Sequence, residues 1–316
     1  MPKVGKQVKL SYASTHMFQE IKDHIWQLKT GQSGPTVTII GGTHGNERTG
    51  VEVVSKLKEK IERGEVKIHA GILNLVHGNP RAIAMNERGS APHQDLNRQF
   101  SADVLTRESD GTYEDQRAKE LAPVYASSDV LLDLHATNKP SEPFLACVHT
   151  DAHVEVYKWF KCEKILTDSN YVLGGEAVTT DEYIEQHGGI GVCYETGQAA
   201  DLNRVDEVLD EVINFLKHQG LVEGQPEGTT YTHRAIYELA EPIILTDEGF
   251  TFANGYGNGS WEMFRQGDVI GTHGVHSLVA NYDGVIVFPK KPEHQQVGKA
   301  LAYLAKAVAS FDSQSV

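Results

Sequence analysis

Two side chains near the start of the chain, His44 and Glu47, have the types and the spacing to bind one metal ion. They follow the β-branched stretch 36–41 and a pair of glycines, an order that predicts a strand, a tight turn and the start of a helix. Residues three apart can meet at one point on a helical turn. An imidazole with a carboxylate suits Zn²⁺, so this pair predicts part of a zinc site. A loop histidine bonded to the backbone is the alternative.

A third ligand could be His135, which directly follows the predicted buried strand 129–134. A catalytic zinc takes three protein ligands and keeps a fourth position for water, and two His with one Glu is one such set. Because the ends of parallel strands meet at one edge of a sheet, His44 and His135 could be neighbours. A histidine that only caps its strand is the alternative.

Glu195 ends another predicted strand, 190–195. A zinc ion polarises water, but a base must accept the proton, and a carboxylate at a strand end beside the metal suits that role. The alternative is an ordinary surface glutamate.

Two arginines, Arg81 and Arg98, could act on a charged substrate or intermediate. A fixed guanidinium stabilises the negative charge that develops on a tetrahedral intermediate. An arginine beside an asparagine, as in Asn97-Arg98, forms a clamp for a carboxylate, and Asp95 could hold Arg98 in place. Surface ion pairs are the alternative, since most arginines form them.

Strands alternate with helices over 36–218, which indicates an α/β fold: a mixed sheet with helices on both faces. Helices are predicted over 47–63, 114–125, 151–162 and 202–218, and strands over 36–41, 66–76, 129–134, 144–148, 164–166 and 190–195. The candidate residues fall at strand ends or in the loops after them, so the sheet should gather them at one edge.

The residue pattern of the sequence changes after Gly220. A linker-like stretch, 224–228, precedes many glycines and short β-like runs over 229–289. We therefore predict a catalytic domain over 1–222 and a small β domain over 223–316, with a terminal helix over 292–311.

The composition excludes several classes of protein. The 316 residues carry a net charge of −14, so nucleic acid and anionic membranes are not expected partners. No apolar run reaches 18 residues, and Met1–Leu10 lacks the apolar core of a signal peptide. Three cysteines are an odd and sparse set, which favours reduced thiols in the cytoplasm. The sequence leaves a homo-oligomer open.

Taken together, these motifs resemble the succinylglutamate desuccinylase/aspartoacylase family, a branch of the zinc carboxypeptidase-like hydrolases. The matching stretches are Gly41-Gly42-Thr43-His44-Gly45-Asn46-Glu47, Gly78-Asn79-Pro80-Arg81-Ala82, Asp95-Leu96-Asn97-Arg98, Asp133-Leu134-His135 and Tyr194-Glu195-Thr196-Gly197. They occur in the family's order over most of the first 200 residues.

The resemblance implies a zinc-dependent hydrolase that cleaves the acyl amide of a small N-acyl amino acid and releases a carboxylate and a free amino acid. It implies one Zn²⁺ ion per chain, bound by His44, Glu47 and His135. Glu195 would act as the general base and then as the acid, and Arg81 would polarise the scissile carbonyl.

The same resemblance assigns substrate binding. Asn97 and Arg98 would bind the α-carboxylate, and the C-terminal domain would narrow the substrate channel. The family's C-terminal substrate tyrosine has two candidates here, Tyr282 and His294, of which Tyr282 is our assignment.

The sequence departs from the family pattern in one respect. Aspartate-specific members read the side-chain carboxylate with an arginine shortly before the catalytic glutamate, yet here no arginine occurs from 118 to 203. Gly174-Gly175-Glu176 and Tyr183 lie in that region instead. Lys139 or a lysine within 161–164 could substitute, so the preferred amino acid stays open.

Three other readings compete with this function. A zinc carboxypeptidase acting on short peptides is the alternative within enzymes, and a non-catalytic metal- or ligand-binding protein is the alternative outside them. The stretch 266–289 is similar to a lipoyl-like barrel, which suggests a carrier. Carriers need an attachment lysine, and none lies between Arg265 and Lys290, so we expect the barrel to be a structural cover.

Overall fold

The structure is a computed structural model that describes residues 17–173, 177–228, 230 and 233–312. Two stretches used in the sequence analysis lie outside the described residues: Met1–Leu10, expected not to be a signal peptide, and Gly174–Glu176, in the region without arginine. Within the described part of the chain, no helix has the length and apolar character to cross a membrane.

The helices are α1 Arg48–Glu62, α2 Pro80–Met85, α3 Ala102–Thr106, α4 Tyr113–Ala126, α5 Asp151–Tyr157, α6 Thr180–Glu185 and α7 Val205–His218. The strands are β1 Gln19–Lys22, β2 Ile25–Lys29, β3 Thr36–Gly41, β4 Ile72–His77, β5 Val130–Thr137, β6 Phe144–Ala146, β7 Lys164–Thr167, β8 Ile190–Gln198, β9 His233–Ile244, β10 Thr251–Phe252, β11 Glu262–Phe264, β12 Val269–His273, β13 His276–Val279, β14 Gly284–Val287 and β15 Ala300–Asp312.

A 12-stranded mixed sheet forms the centre of the molecule, in the order β1-β2-β4-β3-β5-β8-β6-β7-β9-β15-β14-β11. Its middle strands β4, β3, β5 and β8 are parallel neighbours. Their carboxyl ends therefore lie along one edge of the sheet. The predicted mixed sheet is confirmed.

Helices cover both faces of this sheet. Leu132 and Leu134 of β5 pack into a core that includes residues of α1 and α7, whereas Leu131 packs on the opposite face with residues of α4 and α6. Every residue of β5 is buried. A strand that is buried on both faces has a nearly continuous run of apolar residues, which is why the sequence predicted this strand.

The C-terminal part of the chain is mostly β structure, as expected. Strand β9 pairs in parallel with β7, so the large sheet continues from the first part of the chain into the second. Strands β10, β12 and β13 form a separate three-stranded sheet. The division of the chain at residue 222 stays a prediction.

The helix predicted over 292–311 is wrong. Apart from a short 3₁₀ turn, Pro292–His294, the segment forms the strand β15, which lies between β9 and β14. Residues 301–305 are buried, including Ala302 and Ala305. Alanine favours helices, but pairing on both sides outweighs that local preference, and an inner strand lacks the alternation that would reveal it.

Other element boundaries also differ from prediction, and the helix predicted over 151–162 ends at Tyr157. Strand β4 begins at Ile72 rather than at residue 66, and Ile68 makes an isolated bridge to Val222 instead. Within the stretch 229–289, where short β-like runs were predicted, β9 is instead one long strand, His233–Ile244, which continues through Pro242.

Candidate metal centre and active site

The turn after β3 places His44 and Glu47. Gly42 has φ +74°, a conformation that favours glycine, and a Cβ atom on Gly41 would lie 2.1 Å from the carbonyl oxygen of Gly50 in α1. The backbone N–H of Glu47 donates to the carbonyl of His44 at 3.2 Å. Glu47 then caps α1. The predicted order of strand, turn and helix is confirmed.

His44, Glu47 and His135 meet in the folded chain. Glu47 Oε1 lies 2.9 Å from His44 Nδ1, and Glu47 Oε2 lies 2.9 Å from His135 Nδ1. One potential ligand atom from each residue lies within 4.8 Å of the others, and all three side chains are buried. We call these three residues the His₂Glu cluster.

The charges in the His₂Glu cluster are strongly coupled. Burial by itself would raise the pKa of Glu47, but the charges and hydrogen bonds of both imidazoles lower it well below its ordinary value. Burial opposes a charge on His135, yet Asp133 and Glu47 hold its pKa well above the ordinary value. The pocket therefore favours positive charge beside Glu47. The donor set and this electrostatic preference both fit a divalent zinc ion.

Carboxylates behind the cluster support both imidazoles. Asp95 Oδ1 lies 2.9 Å from His44 Nε2, and Asp133 Oδ2 lies 3.0 Å from His135 Nε2. Asp133 also accepts hydrogen bonds from Thr43 at 2.9 and 3.0 Å. A carboxylate that faces the second nitrogen of a histidine is typical of metal sites, where it fixes the ring orientation.

Glu195 lies beside the His₂Glu cluster. It pairs in register with His135 on the neighbouring strand, and its side chain is 8% exposed. Its Oε2 atom is buried without a hydrogen-bond partner among the described residues. Burial, and then the charge of Glu47, raise the pKa of Glu195. A carboxylate with a raised pKa next to a metal-ligand set suits proton transfer.

The arginine at this site is Arg88, which the sequence reasoning missed. Its Nη1 lies 3.6 Å from Glu47 Oε1, and its Nη2 donates to Asp95 Oδ2 at 2.9 Å. The exposed Arg81 lies on α2, where its guanidinium stacks 4.3 Å from the ring centroid of Tyr113. The structure thus brings Arg88, rather than Arg81, into contact with the cluster. Arg88 and Asp95 are seven positions apart in an irregular loop, and no local pattern marks that pairing.

Asn97 and Arg98 lie near the cluster on a short 3₁₀ turn. Asn97 is buried, and its Oδ1 accepts the backbone N–H of Thr180 at 2.9 Å, which leaves the amide NH₂ group to face away. Arg98 Nη1 donates to the carbonyl of Asn97 at 2.8 Å. The carboxylate of Asp95 is hydrogen-bonded to Arg88, to His44 and to the backbone N–H of Asn97. The backbone N–H of Arg98 donates to the carbonyl of Asp95. The expected contact of Asp95 with the Arg98 guanidinium is not among the hydrogen bonds of the described residues.

The structure does not bring Tyr282 to the cluster. Its hydroxyl donates to Glu241 at 2.9 Å, and Lys306 Nζ lies 4.0 Å from its ring centroid. A different tyrosine, Tyr303 of β15, is buried, and its hydroxyl donates to the carbonyl of Leu173 at 3.3 Å. Burial raises the pKa of this hydroxyl, and the charges of Arg98 and Arg88 oppose that rise. Tyr303 was missed because its segment was predicted to be a helix.

The other candidate, His294, ends the short 3₁₀ turn in the loop before β15, where its backbone N–H donates to Lys291 at 2.9 Å.

The candidate substitutes for the family's specificity arginine have other partners. Lys139 donates to the carbonyl of Gly257, and Lys164 donates to Glu142. Lys161 lies 4.0 Å from Glu207. None of these partners belongs to the His₂Glu cluster.

Tyr183, which lies in the same region of the chain, is buried against Phe100 and His187.

Comparison with known proteins agrees with the motifs and the fold. The chain is 27% identical to the N-alpha-acetyl-L-2,4-diaminobutyric acid deacetylase of Halomonas elongata over 90% of this chain and 85% of that protein. It is 25% identical to a succinylglutamate desuccinylase of Pseudoalteromonas atlantica, over 82% and 78% of the two chains.

Solved structures show the same fold. A succinylglutamate desuccinylase from Vibrio parahaemolyticus superimposes with a TM-score of 0.71 at 20% identity, over 90% of this chain and 86% of that one. Murine aminoacylase 3 gives a TM-score of 0.69 at 20% identity, over 89% and 98%. Residues 33–218 match the succinylglutamate desuccinylase/aspartoacylase catalytic domain. The chain therefore belongs to the succinylglutamate desuccinylase/aspartoacylase family.

Proposed function

We propose that this protein is a zinc-dependent hydrolase that cleaves the acyl amide bond of a small N-acyl amino acid. The observation that carries the proposal is the His₂Glu cluster with Glu195 beside it, four buried side chains contributed by three different elements. Membership of a family that contains deacylases supports the reaction type.

His44, Glu47 and His135 would hold one Zn²⁺ ion per chain. A bound zinc ion supplies Lewis-acid chemistry, since it polarises a carbonyl and acidifies water. Glu195 accepts a proton from the attacking water and then delivers it to the amide nitrogen. The water oxygen bonds to the acyl carbon, the C–N bond breaks, and the products are a carboxylate and a free amine.

Arg88 stabilises the negative charge that develops on the acyl oxygen, the role that we had expected of Arg81. Asp95 holds one side of its guanidinium through Nε and Nη2, at 3.2 and 2.9 Å, so the group is fixed before the reaction. A donor that is already oriented needs no reorganisation in the transition state.

Asn97 and Arg98 bind the α-carboxylate of the substrate. The backbone N–H of Thr180 fixes the orientation of the Asn97 amide, so its NH₂ group is available as a donor. Arg98 adds a charged donor next to it. We assign the substrate tyrosine to Tyr303 rather than to Tyr282, because the charge of Arg98 acts on its hydroxyl, which would exchange the carbonyl of Leu173 for the substrate.

A panel of amides tests the function. It contains N-acetylaspartate, N-succinylglutamate, N-alpha-acetyl-2,4-diaminobutyrate and several dipeptides, each incubated with the Zn²⁺-loaded protein. We expect hydrolysis of at least one N-acyl amino acid. Turnover of dipeptides alone would favour the carboxypeptidase, and bound zinc without any hydrolysis would favour a binding protein.

Two further expectations are part of the proposal. A small N-acyl amino acid is the expected partner, and a homo-oligomer stays open. A cytoplasmic location is expected from the three cysteines, which are free and buried.

A further inference from the structure

A second group of ligating side chains lies next to the His₂Glu cluster. His135, Cys193 and Glu195 each place one potential ligand atom within 4.8 Å of the others, and all three are buried. Cys193 and Glu195 are two residues apart on β8 and therefore face the same side of the sheet. The register places Cys193 beside Asp133, and Glu195 beside His135, on β5. We call His135, Cys193 and Glu195 the thiol cluster.

One buried polar atom of this cluster has no partner among the described residues. Glu195 is more than nine-tenths buried, yet its Oε2 has no hydrogen-bond partner in the described part of the chain. His135 Nε2 lies 3.0 Å from Asp133 Oδ2, so a cation bound through this nitrogen would exchange that ion pair for a metal bond. Buried polar atoms are usually satisfied, so a cation between these groups would remove an energetic cost.

We propose that the thiol cluster is a second, inhibitory site for a thiophilic divalent cation such as Cd²⁺, or Zn²⁺ in excess. Sulfur, nitrogen and oxygen ligands together favour such ions over Mg²⁺ or Ca²⁺, which prefer oxygen alone. On binding, the Cys193 thiol gives up its proton to solvent and its sulfur bonds to the cation, with no change of oxidation state.

Inhibition follows from the residues that the two clusters share, and this part rests on the proposed hydrolase function. His135 belongs to both clusters, and Glu195 is the proposed base. A cation in the thiol cluster engages the lone pair that Glu195 needs for proton transfer. The other two cysteines, Cys147 and Cys162, lie in the main apolar core instead.

The thiol itself reports on binding. Cys147→Ser and Cys162→Ser are combined, so that Cys193 is the remaining thiol. This metal-free variant is titrated with Cd²⁺, and the ultraviolet charge-transfer absorption of the cadmium–thiolate bond is recorded. We expect the absorption to saturate in this variant and to vanish when Cys193→Ser is added. Absorption that persists without Cys193, or that never develops with it, overturns the proposal.

A second measurement keeps all three cysteines, in case the serine variants do not fold. Glu195→Gln removes one carboxylate ligand, and the Cd²⁺ concentration at half-saturation should rise at least about tenfold. The matched control is Glu211→Gln, which replaces another buried carboxylate, on α7. This variant should leave the Cd²⁺ concentration at half-saturation unchanged. Equal half-saturation in wild type and Glu195→Gln overturns the site.

Turnover gives an independent readout. Cd²⁺ should inhibit the Zn²⁺-loaded protein, and Cys193→Ser should raise the inhibitory concentration at least about tenfold; equal inhibition of both proteins overturns the inhibitory role. If no N-acyl amino acid is hydrolysed with Zn²⁺ alone, the proposed function fails, while the cadmium absorption still decides whether the thiol cluster binds a cation.

Discussion

Glu47 Oε2 lies 2.9 Å from Nδ1 of His135, although the two residues are 88 positions apart in the chain. The other oxygen of the same carboxylate lies 2.9 Å from His44, three positions away. One glutamate therefore joins a local contact at a turn to a long-range contact across two parallel strands.

Replacement of His135 by alanine should abolish zinc binding. The variant keeps two of three ligands and opens the back of the site, so the zinc content per chain should fall from one toward zero. His69→Ala, which changes an exposed histidine, is the control and should keep full zinc content. Unchanged zinc in His135→Ala would rule out its role as a ligand.

Glu195→Gln should keep zinc and lose turnover. Glutamine has nearly the same shape but cannot accept the proton of water, so kcat should fall about 10²–10⁴-fold. Elemental analysis of the same sample provides the control, because the His₂Glu cluster is intact. A variant that retains wild-type kcat removes Glu195 from the mechanism.

The two arginines can be separated by a matched pair of variants. Arg88→Ala removes the guanidinium that lies 3.6 Å from Glu47, and kcat should fall about 10²–10³-fold if it stabilises the developing oxyanion. Arg81→Ala removes an exposed side chain that stacks on Tyr113, so kcat should change less than about twofold. If Arg81→Ala lowered kcat more than Arg88→Ala did, Arg81 rather than Arg88 would stabilise the oxyanion.

Arg98→Ala should weaken the binding of any substrate with a free α-carboxylate. The loss of one charge-assisted hydrogen bond corresponds to about 1.5–3 kcal/mol, so KM should rise by at least about tenfold with a smaller effect on kcat. The wild-type protein is also tested with a substrate whose carboxylate is capped as an amide. Equal KM values for the free and the capped substrate would refute the clamp.

Glu211 should make stability depend on pH. Burial raises its pKa to about 7, against about 4.3 in an unfolded chain. The folded state holds a proton that the unfolded state releases, so the free energy of unfolding should decrease as pH rises between these values. Glu211→Gln still accepts the 2.8 Å hydrogen bond from Tyr194 but does not titrate.

Urea unfolding at about pH 5 and about pH 8 measures this effect. From about pH 5 to about pH 8, the free energy of unfolding of the wild type should fall by on the order of 1–3 kcal/mol more than that of Glu211→Gln. Parallel curves for the two proteins would show that Glu211 titrates normally in the folded state.

The sequence by itself located the strand, the turn and the helix that carry His44 and Glu47, because short-range periodicity and glycine constraints determine that geometry. It also located β5 and β8, whose apolar runs end beside His135 and Glu195. It failed where local preference opposes long-range pairing: alanine-rich β15 was predicted to be a helix, and with it Tyr303 was missed.

The sequence was sufficient to predict which residue types form the site, because the chemistry of an imidazole, a carboxylate or a guanidinium depends on the side chain itself. Only the tertiary structure selected Arg88 over Arg81 and placed Cys193 beside His135 and Glu195. The reason is physical: these contacts join separate strands and loops, and a one-dimensional pattern fixes which residues share a face but not which faces come together in space.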